Sequence, residues 1–121
     1  DCGRVLNPML VDEQMRGAIV QGIGGALFEE CLYDEGGTLS NGNMADYLVP
    51  MAGEMPDIVI GHVQSPTRSS QLGAKGAGEA GTAGAPAAVM NAINDALAPF
   101  GVRVSSQPIT PEKILRALGR I

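Results

Sequence analysis

The chain has 121 residues, enough for one domain with a modest core, and that core must be largely aliphatic because only two Tyr and two Phe are present. Its net charge of −5 argues against nonspecific binding to nucleic acid or to an anionic membrane surface. No apolar run approaches the roughly 20 residues that a membrane-spanning helix needs, and the N-terminus has no signal-peptide pattern.

The two cysteines, Cys2 and Cys31, are too few for a disulfide framework and lack the spacing of a metal site. We therefore expect two reduced thiols in a cytoplasmic protein. The chain begins at Asp1 without an initiator Met and enters motif-like sequence at once, so we expect it to be a piece of a longer polypeptide.

The first predicted helix runs from Val11 to about Cys31, after a turn-rich lead in which Asn7-Pro8 is interpreted as a breaker. Apolar residues recur every four positions along it: Val11, Met15, Ile19, Ile23 and Leu27. Four glycines interrupt this helix, each at a cost of about 1 kcal/mol relative to Ala: Gly17, Gly22, Gly24 and Gly25. They predict a smooth face that another helix, a loop or a ligand approaches closely.

Gln14 and Gln21 stand one heptad apart on this helix and project from a similar face. Beside a glycine-smoothed surface, their amides are candidate hydrogen-bond donors to a polar ligand. The plainer interpretation, two exposed polar residues without a role, stays open.

The middle of the chain predicts turns and extended segments. Tyr33–Thr38 has a turn at its centre and indicates a hairpin. Asp46–Met51 is predicted as a short extended segment. Asp57–Gln64 is β-branched and apolar and is the clearest strand candidate. The one histidine of the chain, His62, lies within it and is assigned no role.

Pro86 is predicted at the first position of a helix that Pro99 and Gly101 end. Val102–Ser105 is predicted as a short strand. Thr110 has the features of an N-cap for the last helix, whose predicted buried face is Ile114, Leu115 and Leu118. Together these elements imply an α+β fold, a two-layer arrangement of about three helices with a small mixed sheet.

A bare stretch, Gly73–Gly84, precedes the second helix and contains five glycines and four alanines. Because glycine lets another molecule approach the main chain, we predict a loop that lies against a large cofactor. The stretch has one ammonium, Lys75, and one carboxylate, Glu79, four residues later. We predict that the loop presents Glu79 to a substrate. A flexible Gly/Ala linker is the alternative, whereas a nucleotide P-loop is disfavoured because GxxxxGK[ST] is absent.

Several short motifs follow one another along the chain: Cys2-Gly3-Arg4, Asn7-Pro8, Gln14, Gln21-Gly22-Ile23-Gly24, Glu29-Glu30, Tyr33-Asp34, Asp46-Tyr47, Pro50, Gly73-Ala74-Lys75-Gly76-Ala77-Gly78-Glu79 and Thr110-Pro111-Glu112. Together they resemble the C-terminal end of the molybdenum-binding (large) subunit of the xanthine dehydrogenase / aldehyde oxidoreductase / aerobic carbon monoxide dehydrogenase family. The resemblance covers nearly the whole chain, and its most specific piece is the loop from Lys75 to Glu79.

The resemblance implies that residues 1–121 are the C-terminal portion of the molybdopterin-binding domain of a molybdenum hydroxylase, an enzyme that acts on an aldehyde, an N-heterocycle or carbon monoxide. The implied cofactor is molybdopterin, in bacterial members commonly the cytosine dinucleotide form. The implied partners are the rest of the large subunit, the iron–sulfur and flavin (FAD) subunits or domains that receive electrons, and a small-molecule substrate. Neither nucleic acid nor a membrane is an expected partner.

By the same resemblance, Glu79 matches the glutamate that takes a proton from a hydroxyl on the metal, and it is the expected catalytic base. The implied cofactor contacts are Gln14 on the first helix, the loop residues Lys75, Gly76, Ala77 and Gly78, and Asp1 and Cys2 near the dinucleotide end. No residue of this chain is expected to ligate the metal.

The family's large subunit is several times longer and builds its site from several domains. We therefore expect this chain alone neither to retain molybdopterin nor to catalyse. Two alternatives remain: a non-catalytic cofactor-binding or assembly module that kept the fold, and a scaffold domain whose glycine loop is only a packing surface.

Overall fold

The structure, a computed structural model, describes residues 1–121 and contains three α-helices. They are α1 (Pro8–Leu27), α2 (Ala80–Leu97) and α3 (Pro111–Ala117), with single 3-10 turns at Ala52–Glu54 and Ala98–Phe100. α1 and α2 pack against each other and form the centre of the fold. None of the helices combines the length and the apolar character that crossing a bilayer requires.

α1 begins earlier than its apolar pattern indicates. Asn7 is the N-cap, and its side-chain oxygen accepts a hydrogen bond at 3.3 Å from the backbone N–H three residues on. Pro8 occupies the first helical position, where a missing N–H is harmless and the fixed φ of proline suits the helix. The interpretation of Asn7-Pro8 as a breaker is therefore wrong. The helix ends at Leu27 rather than near Cys31, after two consecutive glycines that weaken helix formation.

The contact between α1 and α2 depends on two glycines. A Cβ at Gly22 would lie 2.7 Å from the Ala85 Cβ. A Cβ at Gly81 would lie 2.8 Å from the Met15 carbonyl oxygen and 2.9 Å from the Ala18 Cβ. These distances are shorter than van der Waals contact, so glycine alone lets the two backbones come this close. The predicted smooth face of α1 is confirmed at Gly22, and the element that approaches it is α2.

α2 begins at Ala80, so Pro86 lies inside the helix and its predicted place at the first position is wrong. The first turns of α2 are held on α1, partly by the Thr82 hydroxyl, which donates to the Ala18 carbonyl oxygen at 2.9 Å. Packing against α1 therefore extends α2 toward the N-terminus beyond Pro86, although proline has no backbone N–H to donate. The helix region ends as predicted, before Gly101, whose φ of 68° is left-handed.

The chain forms no β-sheet, so the predicted α+β fold with a small mixed sheet is wrong, although the number of α-helices is as expected. Two isolated antiparallel bridges occur, Gly3–Ala74 and Tyr33–Leu39. The second closes the turn predicted at Tyr33–Thr38, but no strands extend from it.

Asp57–Gln64, the clearest strand candidate, has no hydrogen-bonded partner strand. Among its backbone groups, the Ile58 carbonyl oxygen accepts a hydrogen bond from Arg16 Nε at 3.1 Å. β-branched residues favour an extended chain, but a strand exists only where a second strand completes the ladder. Asp46–Met51 also lacks a partner strand, and its first two residues, Asp46 and Tyr47, belong to a turn in which their N–H groups donate to the Asn43 carbonyl oxygen.

Val102–Ser105 is not a strand either, because a side chain takes the place of the partner strand. The Asn94 Oδ1 on α2 accepts from the Val104 N–H at 2.9 Å, and the Asn94 Nδ2 donates to the Val104 carbonyl oxygen at 2.9 Å. The same amide donates to the Met90 carbonyl oxygen at 3.0 Å. One asparagine thus satisfies both backbone groups of a buried residue.

The buried hydrophobic cluster of the C-terminal part is Leu97, Val104 and Ile109. α3 begins as predicted after the N-cap Thr110, whose side chain accepts from the Lys113 N–H at 3.3 Å. Ile114 and Leu118 pack against the cluster as predicted, whereas Leu115 is 41% exposed. Leu115 lies about 100° around the helix from its neighbour and so faces away from the core.

Candidate functional site

The glycine loop, defined here as Gly73–Glu79, is fixed at its start by the N-terminal turn. The Lys75 N–H donates to the Cys2 carbonyl oxygen at 2.7 Å, and the Arg4 N–H donates to the Gly73 carbonyl oxygen at 3.0 Å. Gly73 has a φ of 73°, a left-handed conformation that glycine adopts without strain. These bonds argue against the flexible-linker interpretation, since a free linker makes no such contacts.

The carboxylate of Asp1 joins three segments beside this loop. It accepts hydrogen bonds from Lys75 Nζ at 2.8 Å and from Ser65 Oγ at 2.6 Å. It also accepts from the backbone N–H of Gly3 at 2.7 Å and of Ser65 at 3.2 Å. Asp1 and Lys75 are both predicted cofactor contacts, and the structure brings them together as an ion pair whose side chains are 32% and 38% exposed.

Gln14 and Thr82 tie the far end of the loop to α1. The Gln14 Nε2 donates to the Gly78 carbonyl oxygen at 3.2 Å. The Thr82 hydroxyl, which donates to α1 at Ala18, also lies 3.3 Å from Gln21 Oε1. The structure therefore places both predicted glutamines beside the glycine loop or the start of α2.

Beyond Lys75 the loop presents free backbone donors. The four N–H groups of residues 76–79 donate no hydrogen bond within the chain. No atom lies within 4 Å of a Cβ built at Gly76 or Gly78, so open space adjoins the loop. The N-terminus of α2, the positive end of its dipole, follows at Ala80. Donors of this kind beside a helix N-terminus and a lysine fit the anionic and polar oxygens of a phosphorylated pterin.

Glu79 occupies the N-cap position of α2, but its side chain makes no capping hydrogen bond and the residue is exposed. It forms no ion pair with Lys75, whose ammonium is bound to Asp1. The carboxylate is therefore free to accept a proton or a ligand. This chain by itself does not enclose it.

A separate cavity of about 540 Å³ opens between α1, the start of α2 and the Asp57–Gln64 segment. Of the predicted site residues, only Asp1 and Cys2 line it, and most of the lining is apolar. Gln14 and residues 75–79 lie outside it. The structure thus arranges the predicted residues along one exposed loop and its supports, and does not gather them around a single pocket.

Two residues that support the loop are missed by sequence reasoning. Ser65 binds Asp1 across 64 positions. It lies in a polar loop without a periodic pattern, so the sequence does not single it out. Thr82 could be found from the sequence, because it is the one hydroxyl residue in the Gly/Ala stretch Gly73–Gly84. His62, assigned no role, pairs with Asp12 at 2.6 Å and lines the separate cavity.

The chain holds no group of three His, Cys, Asp or Glu side chains arranged to bind a metal ion. Cys2 is buried, Cys31 is exposed, and both are free thiols. The predicted site residues therefore offer a cofactor backbone and side-chain amides, one ammonium, carboxylates and the buried Cys2.

Comparison with known proteins gives consistent matches. Residues 1–56 match the family model described as a molybdopterin cofactor-binding domain. The chain is 48% identical over 117 residues to the nicotine 6-hydroxylase large subunit of Paenarthrobacter nicotinovorans, covering 97% of this chain and 14% of that protein. It is 40% identical over 119 residues to the aldehyde oxidoreductase molybdenum-binding subunit PaoC of Escherichia coli (strain K12), covering 96% of this chain and 16% of that protein.

Among solved structures, the quinoline 2-oxidoreductase from Pseudomonas putida 86 matches with a TM-score of 0.93 and 46% identity, covering 98% of this chain and 15% of that chain. The chain thus spans 14% to 16% of the length of these similar proteins.

Proposed function

This chain belongs to the molybdenum-binding (large) subunit family of xanthine dehydrogenases, aldehyde oxidoreductases and carbon monoxide dehydrogenases, and we propose that it supplies part of the molybdopterin site of a molybdenum hydroxylase. The observation that carries the proposal is the glycine loop, in which four consecutive free N–H donors adjoin an unpartnered carboxylate, Glu79. We propose that residues 1–121 are a portion of the molybdopterin-binding domain of this larger subunit.

The residues proposed to hold the cofactor lie along the glycine loop and its two supports. The N–H groups of Gly76–Gly78 donate to anionic or carbonyl oxygens, as expected of exposed backbone donors. Lys75 has three N–H donors and directs one to Asp1, so its charge and remaining donors serve the same ligand. Gln14 adds a side-chain amide. Asp1 and Cys2 are assigned to the dinucleotide end of a cytosine dinucleotide cofactor.

Glu79 is proposed as the general base. When bound, the molybdenum cofactor supplies the two-electron oxidation chemistry, for which amino-acid side chains alone are unsuited. The Glu79 carboxylate takes up, at one of its Oε atoms, the proton of the hydroxyl group that becomes bonded to the substrate carbon. Its lack of any hydrogen-bond or ion-pair partner in this chain supports the role, since the carboxylate oxygens are available. Proton transfer of this kind is typically worth about 10²–10⁴ in rate.

An N-heterocycle is the proposed substrate, ahead of an aldehyde or carbon monoxide. The identities of 48% to the nicotine 6-hydroxylase subunit and 46% to quinoline 2-oxidoreductase exceed the 40% identity to the aldehyde oxidoreductase subunit. The proposed partners are the rest of the large subunit and the iron–sulfur and flavin (FAD) subunits or domains that accept the electrons.

The test is Glu79→Gln in the full-length subunit within its complex. An amide cannot accept the proton, so we expect the rate of reduction by an N-heterocycle such as quinoline to fall at least about 10²-fold. The molybdenum content, measured by mass spectrometry of the metal, stays at the wild-type value. Glu35→Gln is the matched control, because Glu35 is exposed in the loop after α1, and its rate should be unchanged.

Each other outcome has a definite meaning. Full activity in Glu79→Gln removes this carboxylate from the mechanism and leaves a non-catalytic cofactor-binding module as the function. Loss of molybdenum together with activity assigns Glu79 to cofactor retention instead of proton transfer.

A further inference from the structure

We propose that Asp1 and Lys75 act as a positioning ion pair for the glycine loop, an inference that rests on the proposed function of that loop. Lys75 Nζ lies 2.8 Å from Asp1 Oδ2, across 74 positions of sequence. The resemblance implies that Asp1 and Lys75 occupy separate cofactor-contact positions. Their direct contact in addition gives each charge a partner within the protein.

The ion pair differs from an ordinary surface salt bridge in the number of groups it organises. The Asp1 carboxylate accepts four hydrogen bonds, from Lys75 Nζ, Ser65 Oγ and two backbone N–H groups, at 2.6 to 3.2 Å. Both side chains are about one third exposed. A carboxylate with four donors holds its position more strongly than a single exposed pair, so it joins the N-terminal turn, the Ser65 loop and the glycine loop.

The position of Lys75 along the glycine loop explains why the ion pair affects the placement of Glu79. Lys75 is the last residue held by the N-terminal turn, through its N–H bond to the Cys2 carbonyl oxygen at 2.7 Å. The next tether is the Gln14 bond to the Gly78 carbonyl oxygen at 3.2 Å. Gly76 and Ala77 lie between these two tethers, and open space adjoins both Gly76 and Gly78. The ion pair therefore fixes the position of Lys75, and the loosely held residues after Lys75 lead to Glu79.

The experiment is a double-mutant cycle in the full-length subunit within its complex, using Asp1→Asn, Lys75→Met and the double variant. Hydrogen–deuterium exchange reports the protection of the Arg4 and Lys75 amides, which are the ones bonded between the two segments. We expect each single variant to lower the protection roughly two- to five-fold, the range of a partly exposed ion pair. The double variant should lower it by less than the product of the two single effects, because the ion pair can be lost only once.

Two further readouts separate positioning from general stability. Lys75→Arg keeps the ion pair and should retain wild-type protection. In the loaded enzyme, both single variants should lower kcat with little change in KM, because the group displaced is the proposed base and not a substrate contact. Asp95→Asn combined with Lys113→Met makes the same charge changes on α2 and α3 and should leave the exchange at Arg4 and Lys75 unchanged.

The proposal is overturned if the protection losses of the two single variants multiply, or if Lys75→Met has an effect and Asp1→Asn has none. Either result would show that Lys75 acts without Asp1. The exchange measurement needs no molybdenum, so the ion pair is tested even if the complex proves to contain none. A complex without molybdenum would contradict the proposed function separately.

Discussion

Tyr47 and Glu29 show how one contact sets the chemistry of a single side chain. The Tyr47 hydroxyl donates to Glu29 Oε2 at 2.9 Å. This hydrogen bond, then partial burial and the negative charges of Glu29 and Cys31, raise the pKa of Tyr47 above its usual value of 10.0. The folded protein thus binds the phenol proton more tightly than the unfolded chain. The stabilisation from this bond is therefore fully present below about pH 10 and is lost as the pH rises through the raised pKa.

Titration of the tyrosine absorbance tests this at the residue scale. We expect a late phenolate step above pH 10 in the wild-type protein, measured at 295 nm in a chain that contains no Trp. The step should vanish in Tyr47→Phe and persist in Tyr33→Phe. Glu29→Gln should move it to lower pH, because the charged acceptor is lost, whereas Glu30→Gln should not. An unchanged late step in Glu29→Gln would rule out this carboxylate as the cause.

The pairing of α1 with α2 shows why the glycines of α1 are not equivalent. Gly22 lies where a Cβ would be 2.7 Å from the Ala85 Cβ, whereas no atom lies within 4 Å of a Cβ at Gly17. From the sequence pattern, Gly17 and Gly22 are each predicted to destabilise the helix by the same amount. Only the position of α2 distinguishes the glycine that permits the contact from the one that merely weakens the helix. This contact also positions the end of the glycine loop, because Glu79 is the N-cap residue of α2.

Alanine substitution tests the difference at the scale of the element. Gly17→Ala should raise the free energy of unfolding by up to about 1 kcal/mol, since it improves helix propensity without a clash. Gly22→Ala should lower it by about 1–3 kcal/mol, the usual cost of overpacking. Thermal or denaturant unfolding of the two variants measures both effects. The same change in unfolding free energy in both variants, or stabilisation by Gly22→Ala, would contradict the close contact of α1 and α2.

At the scale of the whole molecule, the segment between α2 and α3 connects all three helices. Ile109 donates its N–H to the Ala26 carbonyl oxygen at the end of α1 at 2.7 Å. Val104 is bound by the Asn94 side chain on α2, and Ile114 on α3 packs on the same core. The C-terminal segment therefore closes the structure without any strand pairing.

Asn94→Ala tests this closure. The substitution leaves the N–H and the carbonyl of Val104 without partners, and Val104 is only 7% exposed, so water does not replace them readily. With about 1–3 kcal/mol for each unsatisfied buried group, we expect a loss of at least about 2 kcal/mol in unfolding free energy. Asn91→Ala, at an exposed position on α2, should change it by less than about 0.5 kcal/mol. Similar losses in the two variants would exclude the proposed role of Asn94.

The local parts of this structure were determined by the sequence itself. The Thr110 cap and the end of α2 before Gly101 both depend on residues within a few positions of one another. Periodicity, capping and glycine geometry are short-range properties, so a pattern read along the chain describes them. The order of the short motifs along the chain, most specifically Lys75 to Glu79, likewise indicated the family without knowledge of the fold.

Tertiary structure decided everything that needed a distant partner. Pro86 lies inside α2 because contacts with α1 stabilise the turns before it, and Asp57–Gln64 is not a strand because no second strand of this chain meets it. Asp1 and Lys75 pair across 74 positions, and the residues next to either one in the sequence do not indicate this contact. The physical reason is the same in each case: hydrogen-bond ladders, helix contacts and ion pairs depend on which segments meet in space, and one segment's pattern does not specify its partner.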